Sequence, residues 1–263
     1  MSRSPFRPDV LAGKRVLITG GGTGLGRGVA RHLVDHGAEV HLWGRRPAVL
    51  EEAATEASAT RPGTVHTQTV DVRQPDLVNE AMDEIWARHG PLTGVINNAA
   101  ANFIAPTESI SPRGFEAISS TVMDGSFHTT HAAGRRWIAG GHHGVVLSTL
   151  TTWVWTGSAF VVPSAMGKAA VHAMTMSLAV EWARYGIRLN AIAPGPIPTD
   201  YAWEMLNPTD QSSVGATQAD QVPMGRMGTI EELAHLTVFL LSDACDYLTG
   251  QTIAMDGGQM LAG

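Results

Sequence analysis

The chain has one cysteine, Cys245, in 263 residues. That excludes an intramolecular disulfide and a cysteine-rich zinc site. Tyrosine is nearly as scarce, with three in all, so few phenols are on hand for acid–base work. No apolar run approaches the ~18 residues that a membrane span needs. Met1 to Ala12 carries two arginines and two prolines but no apolar stretch of the kind a secretory leader has. There is no basic block either: 18 Lys+Arg against 24 Asp+Glu leave a net charge of −6, which argues against nucleic acid as a partner. The expectation is a soluble, cytoplasmic protein with small-molecule partners.

What the chain does have is an unbroken alternation of strand and helix patterns. At about 150 residues per domain the length allows one large domain or two small ones, and the alternation favours a single domain over residues 1–263. Arg15-Val16-Leu17-Ile18-Thr19 is a short apolar, β-branched run ending on Gly20-Gly21-Gly22. Leu25, Val29, Ala30 and Leu33 then recur at helical spacing, and Glu39-Val40-His41-Leu42-Trp43 reads as the next strand. Strand, helix and strand in some 30 residues make a βαβ unit with parallel strands.

The pattern continues with strands at Val65–Val70, Gly94–Asn98, Gly144–Ser148, Ile187–Ile192 and Gln251–Met255. Helices are expected over Leu77–His89, Phe115–Ala139, Ser164–Tyr185 and Thr229–Leu241. Pro194 to Val222 is rich in Pro, Gly, Ser and Thr, an irregular segment of a length usually found in lids and binding loops. The fold class expected is α/β, a Rossmann-type doubly wound parallel sheet flanked by helices.

Thr19-Gly20-Gly21-Gly22-Thr23-Gly24-Leu25-Gly26 lies between the first strand and the first helix. A glycine-rich turn lets backbone approach a pyrophosphate, and the helix start offers free N–H groups and a positive dipole end. The end of the second strand selects the dinucleotide. An NAD site places a carboxylate there for the ribose 2′-hydroxyl; this chain has Trp43-Gly44-Arg45-Arg46. Guanidiniums pair bidentately with phosphate, so Arg45 and Arg46 favour the 2′-phosphate of NADP(H), the alternative being that both are solvated surface groups.

These residues, with Asn97-Asn98-Ala99-Ala100 and Pro194-Gly195-Pro196-Ile197, resemble the short-chain dehydrogenase/reductase family over nearly the whole chain, from about Ala12 to Gly258. The resemblance implies that Thr19, Gly20, Gly24 and Gly26 line the pyrophosphate, with Gly22, Thr23 and Leu25 in the same turn. It places Asp71 and Val72 beside the adenine, with Asn97, Asn98 and Ala99 supporting it. Pro194, Gly195, Pro196, Ile197 and Thr199 would border the nicotinamide. Asn97 to Glu108, Gly20 to Gly26 and Phe160 to Ala165 are similar to the 2,4-dienoyl-CoA reductase branch, which implies NADPH, conjugated acyl-CoA substrates and a homotetramer.

The family's Tyr-x-x-x-Lys pair puts a phenol and an ammonium one helical turn apart, and the ammonium lowers the phenol's pKa. Here the segment is Ser164-Ala165-Met166-Gly167-Lys168: the lysine is kept and the tyrosine is not. The family's serine position, thirteen residues before Ser164, is Thr151, and its helical asparagine position is Val122. Serine at the tyrosine position is also what the dienoyl-CoA reductases show. An aliphatic hydroxyl is a poor acid for an alkoxide, whereas conjugate addition to a thioester yields an enolate that needs hydrogen-bond donors. Ser164 and Lys168 would supply them, with Lys168 also holding the nicotinamide ribose. Two departures from the mitochondrial-type enzymes remain. Trp153 stands where they use a substrate-facing tyrosine, and an indole N–H donates without being an acid. Asp124 replaces an asparagine before Gly125, and is either a proton relay through water or a solvated helix residue.

Trp153, Trp155 and Phe160 are candidates for an apolar wall beside the nicotinamide, and Tyr201 for a substrate contact from the irregular segment. The eleven histidines are scattered. The adjacent pair His142-His143 lies in a glycine-rich turn; two adjacent histidines cannot both aim at one ion from a helix face and no carboxylate lies at ligand spacing, so no metal is expected. The leading expectation is an NADPH-dependent reductase of an enoyl or 2,4-dienoyl thioester. A carbonyl reductase or alcohol dehydrogenase working through Tyr201 or water, and a non-catalytic NADP(H)-binding protein, are the alternatives.

Overall fold

The strands expected from apolar runs are all present. The computed structural model describes residues 4–199 and 219–262. In it β1 (Arg15–Thr19), β2 (Glu39–Gly44), β3 (Val65–Thr69), β4 (Gly94–Asn97), β5 (Gly144–Thr149), β6 (Ile187–Pro194) and β7 (Thr252–Met255) form one sheet. Their order is β3-β2-β1-β4-β5-β6-β7, and every pairing is parallel. Parallel strands covered on both faces read as near-continuous apolar runs rather than alternating ones, which is why β5 and β6 were so plain in the sequence.

The helices lie in two layers. On one face α1 (Gly24–Asp35), α2 (Pro47–Ala57) and α8 (Ile230–Leu241) pack Val29, Leu33, Leu50 and Val238 against Val16, Ile18, Val40 and Leu42. On the other, α3 (Pro75–His89), α5 (Gly125–Gly140) and α7 (Val162–Trp182) pack Met82, Ile85, Trp137 and Trp182 against Leu17, Trp43, Val95 and Leu189. Successive strand residues point to opposite faces, so Val16 and Ile18 enter the first core and Leu17 the second. Trp137 is fully buried and satisfies its indole by donating to the Leu92 carbonyl at 2.7 Å.

Two expectations about helices need revision. Pro47–Ala57, where the sequence pattern names no element, forms α2. Proline in the first turn starts it, and Leu50, Ala53, Ala54 and Ala57 make its buried stripe. The long helix expected over Phe115–Ala139 is not uniform: α4 (Pro112–Ser119) runs through a five-residue π turn, Ser120–Asp124, into α5. The hydroxyls of Ser120 and Thr121 donate to the Glu116 and Ala117 carbonyls, at 2.5 and 3.0 Å. Those side chains compete with the backbone amides for the i−4 carbonyls and loosen the ladder there.

After β3 the chain returns across the sheet to place β4 on the other side of β1. Loops leaving β1 and β4 therefore diverge at the carboxyl ends of the strands, where open α/β sheets hold ligands. No described helix is long and apolar enough to cross a membrane.

Candidate active site

A cleft of about 690 Å³ opens at that divergence. Its floor is the glycine turn after β1. Gly20 has φ +65°, and a Cβ there would stand 2.9 Å from the Ala99 Cα, so only glycine fits. A Cβ at Gly26 would meet the Asn98 Nδ2 at 2.6 Å. Asn98 ties the turn together, its amide donating to the Thr19 and Gly20 carbonyls at 3.2 Å each. The Thr19 hydroxyl accepts from the backbone N–H of Asn98 and Ala99, at 3.1 and 3.0 Å. Thr23 is the N-cap of α1 but makes no side-chain capping bond, so the helix start presents free N–H groups beside the cleft.

Gly20, Gly22, Thr23, Gly24 and Leu25 line the cleft, as do Arg45, Arg46, Asp71, Val72, Asn98 and Ala99. Thr19, Gly26 and Asn97 do not line it. Asn97 is buried and donates to the Thr130 hydroxyl at 2.8 Å. Asp71 is taken up by Arg73, which no sequence motif marks. The hydrogen-bonded Arg73 guanidinium holds its carboxyl below the usual range. Arg27 is paired with Glu52 and Arg73 with Asp71, whereas among the described residues no salt bridge ties Arg45 or Arg46. The turn, the bare helix start and two guanidiniums held by no salt bridge at the cleft suit a dinucleotide carrying an extra phosphate.

The far end of the cleft holds Thr151, Trp153, Ser164 and Lys168, bordered by Pro194, Gly195, Pro196, Ile197 and Thr199. Ser164 and Lys168 sit one turn apart on α7 and are 4% and 6% exposed. The Lys168 ammonium donates to the Thr149 carbonyl at the end of β5, and burial pushes its pKa down to about 8. The Thr151 hydroxyl and the Asn102 Oδ1 are buried with no hydrogen-bond partner. Such groups cost about 1–3 kcal/mol unless something satisfies them, and both belong to residues of the cleft wall.

Other expected residues are not brought in. Phe160 is 53% exposed, at φ +66°, and lies outside the cleft lining. Trp155 turns its edge to His172, 5.7 Å between ring centroids, so of the aromatic cluster only Trp153 reaches the cleft. Asp124 belongs to the π turn and does not line the cleft. Val122 is fully buried, against the position where a Gly167 Cβ would fall. Tyr201 lies outside the described residues. Gln221 and Gln259 line the cleft although nothing in their sequence setting marked them.

The lysine's depressed pKa has a consequence for stability. Between about pH 8 and pH 10.5 the unfolded chain holds this proton and the folded chain does not. Unfolding then takes up a proton, so stability attributable to Lys168 rises with pH across that window and is lowest below it. The cofactor-free protein should therefore show a more positive slope of unfolding free energy against pH from 8 to 10.5 than Lys168→Met. Equal slopes in urea titrations would place the folded pKa at its ordinary value.

Fold and cleft together define the class, a Rossmann-type oxidoreductase. Residues 20–260 match the family described as enoyl-(acyl carrier protein) reductase. A probable 2,4-dienoyl-CoA reductase ((2E)-enoyl-CoA-producing) of Bacillus subtilis is 42% identical over 94% of this chain and 97% of its own length. A probable 2,4-dienoyl-CoA reductase 3 ((3E)-enoyl-CoA-producing) of Caenorhabditis elegans is 39% identical, covering 97% of this chain and 82% of its own. The crystal structure of a short chain dehydrogenase from Bacillus anthracis superposes with a TM-score of 0.85 at 40% identity, covering 94% of this chain and 96% of that one. The chain belongs to the short-chain dehydrogenase/reductase family of nicotinamide-dependent oxidoreductases.

Proposed function

We propose that the protein reduces a conjugated carbon–carbon double bond of an enoyl or 2,4-dienoyl thioester, with NADPH as the reductant. The observation that carries this reading is Ser164, a buried aliphatic hydroxyl one helical turn from the buried Lys168 in the cleft wall. A ketone reductase needs an acid there to protonate an alkoxide, and an aliphatic hydroxyl has a pKa several units too high for that role. It is nevertheless a good donor to an oxygen that gains charge without being protonated. The names of the relatives, which include 2,4-dienoyl-CoA reductases, point the same way.

Bound NADPH supplies the hydride that the conjugated system accepts. The chain's own residues do the rest. Arg45 and Arg46 take the 2′-phosphate, and the Gly20–Gly26 turn with the α1 start takes the pyrophosphate. Lys168 orients the ribose. Ser164 and the unpartnered Thr151 hydroxyl donate to the thioester oxygen as enolate charge accumulates on it. Trp153 gives the acyl chain an apolar wall and can add an indole N–H, but no proton. Asp124, outside the cleft lining, enters no step; the carbon is protonated by water. Where that proton lands decides which enoyl thioester is released, and the two relatives' names differ on this point.

The protein also works as a homo-oligomer in this reading. Met123, Phe127, Met166, Met176 and Val180 are 40–83% exposed on segments from the π turn to α7, and apolar side chains open to water there would be covered by a second copy.

The test is a spectrophotometric assay of the purified protein with NADPH and 2,4-hexadienoyl-CoA. Nicotinamide absorbance should fall only when the thioester is present, and NADH should not replace NADPH. Consumption of NADPH with simple ketones but not with the dienoyl thioester would reverse the assignment to a carbonyl reductase.

A further inference from the structure

The amino ends of β2 and β3 carry a second cluster of chemistry-bearing side chains, on the edge of the sheet opposite the cleft. Glu39 opens β2 and His41 lies two residues on, which puts both on one face of the strand. His66, near the start of β3, is the register partner of His41, so its ring falls on the same face. His89 is the last residue of α3, the helix that covers that face. The three ring centroids are 4.1–5.0 Å apart. Glu39 Oε1 lies 3.1 Å from His89 Nδ1, 3.3 Å from His66 Nε2 and 3.5 Å from His41 Nε2.

Protons alone satisfy this arrangement poorly. One carboxylate oxygen offers two lone pairs, and three imidazole nitrogens converge on it. The His41 side chain is 2% exposed, and its Nε2 has no hydrogen-bond partner. A buried polar atom left in that state calls for a ligand. All four donor atoms lie within 4.8 Å of one another, and the three histidines border a cavity of about 290 Å³ that gives access from solvent. Three imidazoles and one carboxylate are the donor set of a borderline divalent ion, with no thiolate for a softer metal and too few oxygens for Ca²⁺ or Mg²⁺.

We propose that Glu39, His41, His66 and His89 form a structural binding site for a divalent transition-metal ion of the Zn²⁺ class, which ties the amino ends of β2 and β3 to the end of α3. Four ligands and no open position make the site structural rather than catalytic. With bonds of ~2.0–2.1 Å, tetrahedral donors stand about 3.3 Å apart. Glu39 Oε1 is already near that distance from all three rings, and rotation of the half-buried His66 and His89 rings closes the wider gaps. Arg15 positions the carboxylate from behind. Its Nε is 3.2 Å from Glu39 Oε2, and its Nη1 donates to the Pro91 carbonyl at 3.0 Å. The same guanidinium offsets part of the carboxylate's charge, so the imidazoles contribute most of the affinity.

The test uses tag-free, chelator-treated full-length protein titrated with ZnCl₂ by calorimetry, with Co²⁺ absorption as a report on coordination geometry. One Zn²⁺ should bind per chain, raise the Tm and, as Co²⁺, give the intense visible bands of a tetrahedral site. His66→Gln/His89→Gln alters two half-buried rings and should leave the fold intact, lower the affinity at least tenfold and abolish the bands. His142→Gln/His143→Gln, which alters the exposed adjacent pair, should bind as wild type does. Absence of saturable one-to-one binding to the wild type would overturn the proposal. So would a His66→Gln/His89→Gln variant that binds Zn²⁺ with unchanged affinity.

Discussion

Lys168→Ala should lower kcat/KM for a dienoyl thioester by roughly 10²–10⁴, the range spanned by lost acid–base or oxyanion-type assistance. The ammonium is buried beside Ser164 and anchored on the Thr149 carbonyl, so no neighbour can take over its position. Alanine removes the charge that orients the ribose and leaves that carbonyl without its donor. NADPH affinity should fall in the same variant, and the unfolding midpoint, measured alongside, separates the loss of catalysis from a loss of fold. A variant that turns over like the wild type would remove the lysine from the mechanism and leave Ser164 without its partner.

Arg45→Ala/Arg46→Ala should cut the preference for NADPH over NADH by roughly 10²–10³. A hydrogen bond to a charged group is worth about 1.5–3 kcal/mol, and two such guanidiniums act on one phosphate. The change should appear as a higher KM for NADPH, with kcat and the NADH parameters nearly constant, because the 2′-phosphate is remote from the reacting carbon. Asp71 does not oppose this arrangement, since Arg73 already takes up its carboxylate. An unaltered ratio of the two cofactors in steady-state assays would mean that both arginines are solvated.

The glycine turn, the seven strands and the lysine–serine pair were legible because each is a local pattern. An apolar β-branched run followed by glycines names a strand and its turn wherever the chain goes next. What could not be read depends on neighbours distant in sequence. The adjacent His142 and His143 drew attention and proved to be exposed, while the three histidines that do converge come from β2, β3 and α3. Their meeting depends on the pairing of His41 with His66, and a shift by one residue would turn one of them to the opposite face. Likewise the aromatic residues Trp153, Trp155 and Phe160 are close in sequence, but the short helix α6 (Trp153–Thr156) and the turn after it send them in different directions. Asp124 was matched by resemblance to an asparagine before a glycine, and its place in the π turn depends on hydrogen bonding that the sequence does not display.

That π turn also makes chain length here a fixed quantity. Each residue of an α-helix advances the side chains by about 100°, and the wider turn shifts the angular phase between α4 and α5. Gly125, the first residue past it, meets Val72 so closely that a Cβ would come within 2.5 Å of the valine, and Thr130, further on, receives the Asn97 amide. A single-codon deletion anywhere in Ser120–Asp124 would rotate α5 about its axis and carry both contacts off target. A point change that keeps the count leaves the phase untouched, so relatives with this packing should hold residue count there more strictly than residue type.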